Sequence, residues 1–261
     1  MKDVFTMWKY TKMVVLVAVS AAFYAALIIP LKAITIIPGI TEIRPGAVIP
    51  VVFGLLFGPA GAWGAAFGNV IGDFFGTYGI GTVFGFFGNF FYGFLGYKVW
   101  AHMGLAKSSD DLQINSWKKA LNFTLVSILS SMACGLIIAF GFECIKLLPF
   151  IPLGPIIAFN NTLACLFLGI PLLGLLYSRL NRWDLVWFAI IDERDISKGL
   201  SPRIGTAFIW IGVAGGFLSG LAISTGAIAG ITAQAAGFPV PSAAVGIAPF
   251  IILMLIGSLL V

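Results

Sequence analysis

Charge is what this chain of 261 residues has least of: Asp, Glu, Lys and Arg make up 10% of it, against roughly 25% in a soluble domain. With 60% hydrophobic residues and a mean hydropathy of +1.06, there is too little polar surface to face water. Histidine is almost absent. The single one, His102, lies in the polar stretch 101–116, "AHMGLAKSSDDLQINS", and leaves no partner for an intramembrane Ser/His or His/Glu centre. No G-x-x-x-x-G-K-[ST] loop occurs, which excludes ATP hydrolysis by that route. The three cysteines, Cys134, Cys144 and Cys165, show neither C-x-x-C spacing nor a nearby histidine, and read as small buried hydrophobes. Enzymatic function is therefore not expected, nor is any cofactor or metal. No cleavage site separates the first apolar run from the next, so the N-terminus is expected to be retained.

What the chain does have is apolar runs, at about 12–31, 45–58, 60–77, 82–100, 117–141, 156–179, 204–223 and 243–261. A run of about 20 residues crosses a ~30 Å hydrocarbon core as a helix. The fold expected is all-α, a polytopic helical bundle in membrane lipid. The second and third runs are short and joined by "GPAG", which predicts a tight turn and helices that are tilted or packed inside the bundle. With the N-terminus in the cytoplasm and the runs alternating, twelve of the fifteen Lys and Arg fall on the inner side, and only Lys32, Arg44 and Lys146 fall outside. That is the positive-inside pattern. The net charge of +5 then reports membrane topology, and no nucleic-acid partner is expected.

This topology gathers polar residues. Glu42, Arg44, Asn69, Asp73, Glu143, Asn160 and Asn161 all fall near the outer leaflet although they span 120 residues of chain. A charge near the bilayer centre costs about 2.5–3.5 kcal/mol on insertion scales, and such groups usually face a bundle interior or a cavity. Asn69 and Asp73 are one turn apart and share a helix face. Blander roles stand beside these: Asp73 among lipid headgroups, Asn69 or the deeper Asn89 bonding a neighbouring helix, Glu42 and Arg44 as solvated loop charges. Tyr78, Phe84 and Trp63, in an aromatic-rich region, are candidates for stacking on a planar ligand, or for ordinary packing. The segments "GNVIGDFFG" at 68–76 and "GNFFYGFLG" at 88–96 echo each other, a sign of shared packing needs. Ala18, Ala22 and Ala26 form a row of small residues that lets another helix approach closely, within the chain or from a separate subunit.

The alanine row, the stretch "TEIRPGAVIPVVFGLLFGPAGAWGAAFGNVIGDFFG" and the Asn-bearing "FNNTLACLFLGIPLLGLLYSRL" resemble the substrate-binding membrane subunit, or S component, of energy-coupling factor (ECF) transporters, which import vitamins into prokaryotes. The resemblance covers about 1–182. It implies a six-helix core with a ligand pocket open to the outside, capped by the loop at about 32–44. It also implies that Ala18, Ala22 and Ala26 dock on a transmembrane coupling subunit served by two ABC ATPases. The substrate would be a small vitamin-like heterocycle bound by Glu42, Arg44, Asn69, Asp73, Tyr78, Asn89, Glu143, Asn160 and Asn161. A subgroup associated with queuosine precursors shares a comparable basic-acidic pattern after the first span. Residues 183–203 would form a cytoplasmic connector, and 204–261 two further spans outside the usual core. A stand-alone ion- or proton-coupled transporter using Asp73 or Glu143, and a ligand-free scaffold, are the competing readings.

Overall fold

The computed structural model of the chain describes residues 1–31, 34–37, 41–42, 44–197, 199–228, 234–235, 238–239 and 242–261, with backbone alone at 35, 37, 41–42, 234–235, 238–239 and 242. It is a helical bundle. The elements are α1 (Lys2–Thr6), α2 (Thr11–Ile28), α3 (Val48–Phe57), α4 (Pro59–Asp73), α5 (Gly81–Val99), α6 (Trp117–Cys144), α7 (Phe150–Ala164), α8 (Ile170–Arg182), α9 (Trp187–Ile190), α10 (Pro202–Ser224) and α11 (Ser242–Leu260). A π-helical turn, Cys165–Gly169, joins α7 to α8. Two minimal antiparallel ladders, Thr35–Ile37 with Thr41–Glu42 and Gln234–Ala235 with Phe238–Pro239, sit in the connections.

Five helical stretches among the described residues are long and apolar enough to cross a membrane, running over Thr11–Leu31, Trp117–Cys144, Phe150–Ile190, Pro202–Ser224 and Ala243–Leu260. The sequence pattern suggested eight spans. The difference lies in the middle of the chain. At ~1.5 Å per residue, α3 and α4 are only about 15 and 22 Å long, well short of ~30 Å. Every residue of α3 is buried, and most of α5 is too. These helices are apolar because they form the interior. The "GPAG" turn is as tight as expected: α3 ends at Phe57 and α4 starts at Pro59, with Gly58 between them at φ +55°. Any other residue would be strained there, and a Cβ on Gly58 would also strike the Trp187 ring.

Two stripes of small residues place α2. Gly64, Gly68 and Gly72 line the face of α4 against Ser20, Ala21, Tyr24 and Ile28 of α2, where an added Cβ would come within 2.3–2.8 Å of α2 atoms. Helix backbones approach this closely only where side chains are absent. The opposite face of α2, with Ala18, Ala22 and Ala26, is left exposed. On the other side of the molecule, α10 and α11 pack on each other and against α6 and α7. Phe217 of α10 meets Phe150 of α7 edge-on at 5.5 Å.

The end of the bundle rich in Lys and Arg, termed here the basic end, is closed by a polar clasp that sequence reasoning did not anticipate. Asp3 is fully buried, accepts hydrogen bonds from Lys98 Nζ and the Tyr97 hydroxyl, both at 2.9 Å, and so ties α1 to α5. Lys98 is thus an ion-paired interior residue as well as a topological charge. Beside it, Tyr10 donates to Asp195 Oδ2 at 3.0 Å and accepts from the Asp192 amide at 3.1 Å, which fixes the segment after α9 against the start of α2. The Tyr10 hydroxyl, followed by Lys9 and Lys2, holds the Asp195 carboxyl below its usual range.

Replacing Gly64 by Ala is expected to destabilise the protein by about 1–3 kcal/mol through overpacking against Ser20 and the Val17 carbonyl. Gly174→Ala, in α8 with nothing within 4 Å of the added Cβ, should be neutral or gain up to about 1 kcal/mol in helix propensity. Thermal unfolding in detergent distinguishes the two, since propensity alone predicts that both variants gain.

Candidate functional site

At the end of the bundle opposite the basic end, α4 carries Asn69 and Asp73 one turn apart, and Thr77 follows one turn later in the turn that ends the helix. Arg44 lies just before α3. Its Nη1 donates to Asn69 Oδ1 at 3.2 Å, Asn69 Nδ2 donates to Asp73 Oδ2 at 2.9 Å, and Thr77 Oγ1 donates to Asp73 Oδ1 at 2.8 Å. The Asn69 amide uses both its ends to bridge a guanidinium and a carboxyl. Asp73 is 5% exposed and Asn69 2%. Such burial is tolerable only where polar groups find partners. Gly85 of α5 faces this bridge: a Cβ there would lie 2.6 Å from Asn69 Nδ2 and 3.7 Å from Asp73 Oδ2.

The bridge forms one wall of a hollow. The others come from Gly81 and Gly85 of α5, from Cys134, Ile138 and Phe142 of α6, and from Ile157, Asn160 and Asn161 of α7. The hollow encloses about 530 Å³ in all, its mouth included, of which about 40 Å³ is open to the centre of a water molecule. The inner figure falls well short of the ~300–1,000 Å³ of small-molecule sites. That space holds about three waters at ~10–15 Å³ each. A heterocycle therefore fits only as the walls part. A larger groove, about 650 Å³ open to water centres, runs along α2, α3 and α8, but aliphatic and aromatic residues such as Phe23, Leu27, Phe53 and Leu175 line it, and it offers little to orient a polar ligand.

Of the residues singled out in the sequence, Arg44, Asn69, Asp73, Asn160 and Asn161 line the hollow. The side chain of Glu42 lies outside the described residues, as do residues 32, 33, 38–40 and 43 of the connection expected to cap the pocket. Three others are not brought to the hollow. Asn89 accepts from the Tyr24 hydroxyl at 2.8 Å and donates to the Gly85 carbonyl at 2.8 Å, a helix-to-helix tie. Glu143 accepts from the Phe150 amide at 2.5 Å and serves the start of α7. Tyr78 is 64% exposed and stacks on Phe74 with ring centroids 4.4 Å apart. Trp63 donates to the Val4 carbonyl near the basic end, and Phe84 packs on Phe142 beside the hollow. Sequence reasoning missed Thr77, although the helical spacing that joins Asn69 to Asp73 reaches it. It also missed Cys134, Ile138 and Ile157, which carry no signal beyond their apolar periodicity. No group of three His, Cys, Asp or Glu among the described residues has the geometry to hold a metal ion.

A helical membrane bundle with a polar hollow at one end of its α2–α8 core has the features of a substrate-binding membrane protein. Comparison with known families agrees. A family model described as QueT transporter matches residues 14–178, well over half of the chain. The chain belongs to that family, which groups S components of ECF transporters. The match ends before α10 and α11, so the helical pair is an addition to the family core. No curated protein and no solved structure matched the chain.

Asn69→Leu keeps the approximate volume but removes both bonds of the bridging amide. It is expected to cost about 1–3 kcal/mol, the range for leaving buried polar groups unsatisfied. Unfolding in detergent measures it, and an unchanged midpoint would mean that the bridge is solvated.

Proposed function

We propose that the chain captures a queuosine precursor, a deazaguanine base, at the outer face of a prokaryotic plasma membrane and passes it to a coupling module of one transmembrane subunit and two ABC ATPases. The observation that carries this reading is the convergence of Arg44, α4, α5, α6 and α7 on one hollow at the end of the bundle away from the basic end. By the positive-inside rule the basic end faces the cytoplasm, with the N-terminus, and the hollow faces outward. Asn69, Asp73, Asn160 and Asn161 offer the donors and acceptors that the amide edge of such a base requires, and Ile138, Phe142 and Ile157 offer apolar walls. Glu42 and the connection around it would cap the bound ligand. Nothing in this role needs chemistry on the ligand; binding is passive and the partner ATPases supply the energy.

The exposed row Ala18, Ala22 and Ala26 on α2 is the docking face for the coupling subunit. Supporting this, the packing of α4 behind α2 turns the row outward, and α10 and α11 pack against α6 and α7, leaving the row uncovered. In this division 1–182 binds and couples, 183–203 connects, and 204–261 braces the ligand-binding side.

Two experiments test the proposal. The purified chain should bind queuine without any ion gradient, and Asp73→Asn should weaken that binding roughly 10–100-fold, the equivalent of the 1.5–3 kcal/mol of a hydrogen bond to a charged group. No binding by the wild-type chain, with none of the base found by mass spectrometry after purification, would reject the substrate. Replacing Ala18 and Ala22 together by Leu should abolish uptake by cells while leaving queuine affinity unchanged. Retained uptake would remove the docking role.

A further inference from the structure

Three helices continue in the same way beneath the floor of the hollow. On α6, Ile138 and Cys134 line it, and the residues next along the same face toward the basic end are Ser131, Ser130 and Ser127. On α7, Asn161 lines it and Cys165 follows one turn later. On α5, Gly85 lines it and Tyr92 comes two turns on. The Tyr92 hydroxyl lies 3.1 Å from Cys165 Sγ and donates to the Asn161 carbonyl at 3.3 Å. Ser131 lies against Tyr92 and Ser127 against Cys165.

This seam is anomalous for the middle of a membrane bundle. All three serines are fully buried; Ser131 is in side-chain hydrogen-bonding reach of Tyr92 and Ser127 of Cys165, at geometry short of a well-formed bond, and Ser130 has no partner among the described residues. A buried polar group left without a partner costs about 1–3 kcal/mol, and such groups are few in native proteins. Ser258 of α11, equally buried, bonds the carbonyl one turn back at 2.8 Å, whereas Ser20 of α2 is a lone hydroxyl unpaired among the described residues; what sets the seam apart is that three serines, a tyrosine and a cysteine adjoin one another below the hollow. The π turn begins at Cys165, and π turns within helices are frequent at functional sites. Apolar residues would fill this position without that cost.

We propose that the ligand site extends below the visible hollow into an uncharged inner subsite made by Tyr92, Ser127, Ser131 and Cys165, which takes a neutral hydrogen-bonding edge of the ligand when the walls part around it. The inference rests on the reading of the hollow as the ligand site. It divides recognition in two. The outer wall, with Arg44 and Asp73, handles charged or strongly polar groups, and the inner seam of hydroxyls and a thiol selects the part of the ligand that enters first. Cys134, on the α6 wall between the two, is the threshold.

The seam contains its own reporter. In the full chain carrying Cys144→Ser, which removes the exposed thiol, methyl methanethiosulfonate is applied to the folded protein and the modified residue is identified by peptide mass spectrometry, with and without saturating queuine. The expected result is modification of Cys165 in the folded protein, slowed at least tenfold by queuine. In parallel, Tyr92→Phe and Ser131→Ala should each weaken queuine binding at least fivefold, with unfolding midpoints close to that of the parent for Ser131→Ala. Modification of Cys165 only after denaturation would overturn the inference, as would modification that queuine slows at Cys134 but not at Cys165. If Asp73→Asn weakens binding while the seam variants and Cys165 reactivity are indifferent to ligand, the inner subsite fails and the outer site stands. If queuine neither binds nor protects either thiol, both fail.

Discussion

In an interior without water, each hydrogen-bonding group must find its partner within the protein, and the bridge from Arg44 through Asn69 to Asp73 and Thr77 is where this chain meets that demand most visibly. One amide satisfies a cation and a carboxyl that belong to different segments. To reach each other, α3 must be short enough to bring Arg44 back to the end of α4, and α5 must present a glycine, Gly85, opposite the amide. The tight turn at Gly58 sets the first condition. The result is a wall that is polar, largely buried and held in position by its own bonds, which is what orienting a small heterocycle requires.

The same helix has a second task on its other side. α4 presents Asn69 and Asp73 to the hollow and Gly64, Gly68 and Gly72 to α2. Its packing against α2 therefore connects the hollow wall to the outward alanine face through a single rigid element. Under the proposed docking, movement of a partner against Ala18, Ala22 and Ala26 would reach Asn69 and Asp73 through the α2–α4 contact alone. The basic end supplies the fixed point. The Asp3–Lys98–Tyr97 cluster is buried and ion-paired, and Tyr10 with Asp195 fastens the connector beside it, so the chain leading into α2 is anchored there.

Two echoing sequence segments show how far local pattern reaches. Asn69 and Asn89 occupy equivalent places in "GNVIGDFFG" and "GNFFYGFLG", and both are buried among glycines. One becomes the centre of the hollow's wall and the other is consumed by Tyr24 and the Gly85 carbonyl. The sequences differ at the fourth residue on, Asp73 against Gly93, yet what decides the outcome is the neighbour: α5 lies beside α4 at the hollow, while the Tyr24 side of α2 lies beside Asn89. Glu143 makes the same point: its expected depth matched that of the hollow residues, but its side chain serves the start of α7.

Composition and hydropathy by themselves determined that this is a helical membrane bundle, that basic residues collect at one end, and that the breaker at 58–61 separates two short helices, because each of these is a property of local segments in contact with one solvent. The motifs also sufficed for the S-component resemblance. Only the tertiary structure decided which polar residues share a cavity, that α3, α4 and α5 are largely buried in the bundle, that Asp3 and Lys98 form a buried pair across 95 residues of chain, and that α10 and α11 lie against α6 and α7. Those are questions of helix rotation and of neighbours distant in sequence. They are settled by where glycines let backbones touch and by which buried groups can satisfy one another, neither of which a single segment carries.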